Sequence, residues 1–251
     1  GKGVAKDEVK AVEWYRKAAE QGHAGSQVNL AGAYRNGEGT TKDEAKAVEW
    51  YRKAAERGND AAQYNLGVMY HDGLGIAKDE AKAVEWFRKS AEQGYKDAQY
   101  NLGVMYQKGR GIVMDEAQAV EWYRKAAEQG DERAQCNLGI MYVNGQGVTK
   151  DEVKAVEWYR KAAEQGYKDA QHNLGFMYTK GLGLTIDYAK AAEWYLKAVE
   201  QGYAGSQHNL GRMYEFGKGV PKNINEAIRL YKLAAAQGDP NAQAALTRLG
   251  Q

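Results

Sequence analysis

Tryptophan recurs every 36 residues along this chain, at Trp14, Trp50, Trp86, Trp122, Trp158 and Trp194, and nowhere else. A fixed period of this size marks a stacked array, because one short supersecondary unit cannot bury its own apolar face and must borrow a neighbour's. Around the tryptophans runs A-V-E-W-Y-R-K-A-A-E-Q-G, from Ala11 to Gly22 and again from Ala119 to Gly130. A second block, A-Q-x-N-L-G-x-M-Y, recurs from Ala62 to Tyr70, Ala98 to Tyr106, Ala134 to Tyr142 and Ala170 to Tyr178. A third is G-x-G, at Gly37/Gly39, Gly73/Gly75, Gly109/Gly111, Gly145/Gly147, Gly181/Gly183 and Gly217/Gly219. No insertion or deletion breaks the register.

Placed at 100° per residue, both blocks read as amphipathic helices. Over 43–56, Ala47, Val48, Trp50, Tyr51, Ala54 and Ala55 share one arc, and Glu49, Arg52, Lys53 and Glu56 the other. The charged arc reads as a solvated face with local ion pairs. Over 61–72, Ala62, Leu66, Gly67, Met69 and Tyr70 share a face, with Gly67 leaving room for a close helix. Gly58 suits a left-handed helix terminus, the G-x-G turn makes the other reversal, and Asp43-Glu44 place negative charge at a helix start. The expected fold is all-α: an α-solenoid of stacked antiparallel helix pairs, with the Trp, Tyr, Leu and Met columns as its core. The pairs divide the chain into a partial repeat over 1–22, full repeats over 23–58, 59–94, 95–130, 131–166, 167–202 and 203–238, and a partial terminal repeat over 239–251.

Thirty-five basic and 33 acidic residues leave a net charge of +2, which argues against nucleic acid and anionic membrane as partners. No apolar run reaches the roughly 18 to 20 residues that span a bilayer. No signal peptide opens the chain, and Gly1 falls inside a repeat, so a natural N-terminal segment is expected to be missing. The single cysteine, Cys136, excludes an internal disulfide framework and leaves the compartment open.

Laid end to end, G-x-G-x-x-x-D-x-x-x-A-x-x-W-Y-x-K-A-A-E-Q-G and A-Q-x-N-L-G-x-M-Y resemble the SEL-1-like repeats, 36-residue relatives of the tetratricopeptide repeat. The resemblance covers essentially the whole chain. It implies a right-handed superhelix with a concave inner surface and a non-enzymatic adaptor or scaffold role in protein complexes. A bacterial branch carries a disulfide in each repeat, which this chain lacks. Two edge repeats depart from the pattern: Asn29-Leu30-Ala31-Gly32-Ala33-Tyr34 displaces the glycine and replaces the methionine, and Leu230 and Asn223 stand at the tryptophan and aspartate positions.

Columns that vary between repeats are free to do something other than hold the array together. In the first-type helix the sixth column runs Tyr64, Tyr100, Cys136, His172, His208 after Val28. The tenth runs Val68, Val104, Ile140, Phe176, Arg212 after Gly32. The thirteenth runs His71, Gln107, Val143, Thr179, Glu215 after Arg35. On the wheel these lie opposite the Leu66–Tyr70 face, and the resemblance places that side in the concave groove. Aromatic and aliphatic side chains with polar neighbours suit a protein or peptide segment.

His172, His208 and Cys136 share a column, but residues one repeat apart stand roughly 9–10 Å from each other across packed helices. A zinc site needs bonds of about 2.0–2.3 Å, so no metal and no cofactor is expected. The G-x-G turns lack the strand and the lysine-serine pair of a phosphate loop. A cell-wall- or β-lactam-directed hydrolase, discussed for cysteine-rich relatives, is one alternative; a consensus-like designed scaffold without a native ligand is another. Only Ser26, Ser90 and Ser206 could serve as serine nucleophiles. The terminal helices are expected to expose Val12 and Tyr15 at one end and Leu246 and Leu249 at the other. Gly1–Val4 repeats the pattern of Gly217–Val220, which predicts head-to-tail self-association.

Overall fold

A computed structural model describes residues 7–251, and those residues form fourteen helices and no strand. The second-type helices are α1 (Glu8–Glu20), α3 (Glu44–Glu56), α5 (Glu80–Glu92), α7 (Glu116–Glu128), α9 (Glu152–Glu164), α11 (Tyr188–Glu200) and α13 (Ile224–Ala236). The first-type helices are α2 (Ala24–Asn36), α4 (Asp60–Asp72), α6 (Lys96–Lys108), α8 (Glu132–Asn144), α10 (Lys168–Lys180), α12 (Ala204–Phe216) and α14 (Pro240–Arg248). Helices joined by turns this short lie antiparallel. The chain forms two compact units, Gly1–Ala126 and Ala127–Gln251, and within each one consecutive helices pack on one another. No helix among the described residues is long and apolar enough to cross a membrane.

Local chemistry sets the helix ends. Asp43 caps α3 by accepting a hydrogen bond from the Lys46 backbone N–H at 3.0 Å, and Asp79, Asp151, Asp187 and Asn223 do the same for α5, α9, α11 and α13. The first glycine of each G-x-G closes a helix in the left-handed region, as Gly73 does after α4. The second lets loop backbone rest on the preceding repeat. Gly75, at φ +64°, has no room for a Cβ, which would lie 2.3 Å from the Glu44 carbonyl carbon.

The tyrosine, leucine and methionine columns of the expected core are largely buried, whereas the tryptophan column lies mostly at its edge, with Trp122 buried. Ala47, Val48, Tyr51, Ala54 and Ala55 of α3 are buried, but Trp50 is half-exposed and Trp14 is 68% exposed. The next position fills the interior: Tyr51, Phe87, Tyr123, Tyr159 and Tyr195 after tryptophans and Tyr231 after Leu230 are all buried, while Tyr15 is half-covered. The rings of Phe87, Tyr123, Tyr159, Tyr195 and Tyr231 lie against the helical glycines Gly67, Gly103, Gly139, Gly175 and Gly211. One step of 100° separates the two columns, and the wide indole keeps a face in solvent that a lysine three residues on covers. Lys53 Nζ stands 4.2 Å from the Trp50 ring centroid, and the pattern recurs at Lys89, Lys125, Lys161 and Lys197. Of the arc read as solvated, Arg52 donates to the Tyr70 hydroxyl in the next helix.

A buried glutamine column threads the repeats. Gln63 Nε2 donates to the Ala55 carbonyl at 3.1 Å, and Gln27, Gln99, Gln135 and Gln171 bond the equivalent carbonyls of Ala19, Ala91, Ala127 and Ala163. The amide oxygen accepts from the end of the following helix, as Gln63 does from Gln93 at 2.7 Å. The terminal helices also differ from expectation. Val12 and Leu246 are buried because they sit in columns that face inward onto the chain's own helices, and Tyr15 and Leu249 are half-covered. The matching segment Gly1–Val4 lies outside the described residues.

Candidate functional site

The three variable columns separate once they are placed. The sixth does not point outward; it reaches into the next repeat. In the first unit Tyr64 packs on Phe87 and on Tyr95, with ring centroids 5.9 and 5.1 Å away, and Tyr100 packs on Tyr123. In the second unit His172 packs on Tyr195 and Tyr203, and His208 on Tyr231. His172 Nδ1 lies 2.9 Å from the Ser206 hydroxyl, and Asn173 donates to Cys136 Sγ. Cys136 is buried, and burial pushes its thiol up to about 12. These side chains pack on the following helix and, through Tyr95, Tyr203 and Ser206, on the next repeat, which one helix's wheel cannot reveal.

The thirteenth column serves the buried tyrosines. Gln107 Oε1 accepts from the Tyr123 hydroxyl at 2.8 Å, and Glu215 Oε2 accepts from Tyr231 at 2.7 Å. At the same position Arg35 donates to the Tyr51 hydroxyl, and Thr179 hydrogen-bonds Tyr195. Where the following helix offers Phe87, which has no hydroxyl, His71 turns to Glu80 at 2.7 Å. Val143 has no polar group to offer Tyr159.

The tenth column is left. Val68, Val104 and Ile140 are half-buried, whereas Phe176 is 40% exposed and Arg212 is exposed. Both line a cleft of about 220 Å³ inside the second unit. α10 contributes Phe176, Thr179 and Lys180, α11 contributes Tyr188 and Tyr195, and α12 contributes Asn209, Arg212, Met213 and Phe216, with Lys218 following. A wider opening of about 800 Å³ continues past Arg212 and Phe216 to Asn241, Ala244 and Arg248 of α14. Phe216, 55% exposed, stands where earlier repeats carry Asn36, Asp72, Lys108, Asn144 and Lys180. An aromatic residue in an otherwise polar column is the sequence signal for it.

The cleft is basic. Lys180 Nζ stands 5.7 Å from the Phe176 ring and Lys218 Nζ 5.6 Å from the Tyr188 ring. Arg212 has no hydrogen-bond or ion-pair partner among the described residues. Glu215, the acid next to it in sequence, is buried and already held by Arg248, Nη1 to Oε1 2.6 Å, and by Tyr231. The Arg248 bond holds the Glu215 carboxyl below its usual range, so it stays ionised and saturated. Small-molecule pockets occupy about 300–1,000 Å³; the enclosed part of this cleft is smaller and suits one or two side chains of a longer ligand.

The Sel1 repeat matches seven times, at residues 1–23, 24–59, 60–95, 96–131, 132–167, 168–203 and 204–239. A protective antigen of uropathogenic Escherichia coli with this fold is similar over 99% of the chain, at 41% identity and a TM-score of 0.93. The chain spans about half of that protein, 54% of its length. A Sel1 repeat protein from Oxalobacter formigenes matches 91% of the chain and 97% of its own length, at 33% identity and a TM-score of 0.77. An immunity protein from Pseudomonas aeruginosa matches 87% of the chain and 84% of its own length, at 25% identity and a TM-score of 0.51. No protein of curated function matches the sequence.

Proposed function

Because this chain belongs to the Sel1-repeat family, we propose that it is a non-enzymatic scaffold that takes up a segment of a partner protein along α10, α12 and α14. Sel1 repeat proteins are in general protein-interaction scaffolds, which fits an array whose fixed columns serve only packing. The observation that carries the reading is the pair of exposed phenylalanines, Phe176 and Phe216, lining one cleft with the unpartnered Arg212. Aromatic residues and arginine are the side chains that anchor protein interfaces. Tyr64, Tyr100, His172 and His208 contribute by fixing the spacing of the repeats, and Glu215 by holding α14 through Arg248.

The test is selection of peptides from a random displayed library on the intact chain. Binding of the selected peptides is then measured to the Phe176→Ala/Phe216→Ala variant. Both side chains are exposed, so the variant should match the parent in helical circular dichroism. Loss of the selected peptides by the variant supports the site. Equal affinity for both proteins moves binding elsewhere on the chain, and an empty selection overturns the proposal.

A further inference from the structure

We infer that the segment accepted by the α10–α12 cleft presents a carboxylate beside a large apolar side chain, an acidic and aromatic stretch of peptide. The inference rests on the binding function proposed above and names the chemistry of its ligand. Three cations, Lys180, Arg212 and Lys218, line the cleft, and among the described residues no carboxylate forms an ion pair with any of them. Elsewhere the chain pairs comparable cations: Lys46 with Asp43, Lys82 with Asp79, Lys154 with Asp151, Lys190 with Asp187. Lys108 and Arg110 hold the positions of Lys180 and Lys218 in an earlier repeat and likewise form no ion pair among the described residues, so the cation that sets this cleft apart is Arg212.

Arg212 is the focus of that charge. It lines the cleft from α12, and its charge also bears on the Tyr195 hydroxyl, His208 and Glu215. Its column holds glycine, valine, isoleucine and phenylalanine in the other repeats, so nothing in the shared packing requires a cation there. A guanidinium is a planar fork that binds a carboxylate through two parallel N–H bonds, and the phenyl rings around it exclude water and strengthen that bond. Asn209 lines the same wall; its Nδ2 donates to the Tyr195 hydroxyl at 3.3 Å, which leaves its carbonyl oxygen available to a peptide N–H. Phe176 and Phe216 then offer ring faces to an apolar neighbour of the acid. A phosphate chain would satisfy the cations but not the two phenylalanines, and a purely apolar helix would bury Arg212 without a partner.

The experiment uses the whole chain and fluorescein-labelled, end-capped peptides in an anisotropy titration. One peptide alternates glutamate and phenylalanine between glycine-serine flanks, a second replaces glutamate by glutamine, and a third replaces phenylalanine by glycine. The first should bind. The glutamine peptide should bind roughly 10- to 100-fold more weakly, the scale of a charge-assisted hydrogen bond. Arg212→Gln should erase the difference between these two peptides, because the variant no longer distinguishes charge. Arg212 is exposed, so helical circular dichroism should be unchanged. Equal affinity for the glutamate and glutamine peptides overturns the carboxylate while leaving the binding function standing. No binding of the first peptide, by a protein that still binds library-selected peptides, overturns the inference alone. Tighter binding of a single-stranded oligonucleotide with a steep loss in salt overturns it in favour of a polyanion.

Discussion

At position 27 a buried glutamine holds its amide against the Ala19 carbonyl, and its Oε1 has no partner. Its equivalents Gln63, Gln135, Gln171 and Gln207 accept from Gln93, Gln165, Gln201 and Gln237. The donor owed to Gln27 is at position 57, where the chain carries Arg57, whose guanidinium bonds the Gly22 carbonyl instead. Gln201 shows that glutamine reaches both acceptors, bonding Gly166 O and Gln171 Oε1 at 2.9 Å each. Arg57→Gln should therefore raise stability by about 1 kcal/mol, read as a higher urea midpoint at unchanged slope. A lower midpoint would mean that Arg57 contributes more through its own contacts than a satisfied amide does. Two imidazoles supply a pH dependence. Burial holds His172 and His208 below their ordinary value of 6.5, so the unfolded chain takes up these protons first as pH falls. Their contribution is complete above pH 6.5 and declines below it, toward the depressed folded values. His172→Tyr with Ser206→Ala copies the pair Tyr64 and Ala98 found three periods earlier; it should flatten the fall in midpoint between pH 7.5 and 5. A slope unchanged by the substitution would assign the dependence to other groups. A second loss should follow below about pH 3.8, where Asp43, Asp79, Asp151 and Asp187 give up the carboxylates that accept backbone bonds at helix starts.

The helices show which features one sequence window contains. Asp43 and Gly58 set the bounds of α3 through bonds within a few residues, so spacing alone located them. Whether Trp50 or Tyr51 lies inside depends on which of them meets the neighbouring α2, and neither the wheel nor hydrophobicity distinguishes two large aromatic residues one step apart. The sixth column was misread for a related reason: Tyr64 looks outward on α4 and is covered only when Tyr95 of the next repeat arrives. Tyr95 itself starts α6 without a side-chain cap, so that position gives up a capping bond for a ring contact. Gln63 was missed because its partner is the Ala55 carbonyl across a turn, and a polar residue inside an apolar face carries no sign of being satisfied. Of the cleft, Phe176 and Arg212 lie in a variable column that the repeat comparison picks out, while Phe216 is an aromatic residue in an otherwise polar column outside the three columns compared. The glycines separate by what surrounds them. Gly75→Ala drives a Cβ into Glu44 backbone at positive φ, whereas Gly58→Ala, at φ +88° with nothing within 4 Å, meets only the backbone cost of about 1–2 kcal/mol. Thermal unfolding should rank Gly75→Ala well below Gly58→Ala; equal losses would show that the loop can move off the preceding repeat.

At the scale of the molecule the useful variable is the period itself. Within each unit a helix packs chiefly on those before and after it, so stability there is a sum over repeats and the interfaces between successive ones. Deleting residues 60–95 removes one whole period from the first unit and joins Asn59, the cap of α4, to Lys96, the start of α6. Gln99 then stands where Gln63 stood, opposite the Ala55 carbonyl, and Gly103 follows where Gly67 was. The shortened chain should keep its helicity per residue, unfold cooperatively, and show a smaller urea slope because less surface is exposed on unfolding. Deleting 62–95 instead removes two residues fewer and rotates α6 by about 200° relative to its neighbours, at 100° per residue. That turn would carry Leu102 and Met105 out of the interior and Lys108 toward it. The out-of-phase deletion should therefore lose near-ultraviolet dichroism from the packed aromatic residues and expose apolar surface, while the in-phase one should not. If both deletions behave alike, the columns described here do not hold the repeats in register, and the glutamine and glycine contacts between repeats would have to be secondary to helix formation itself.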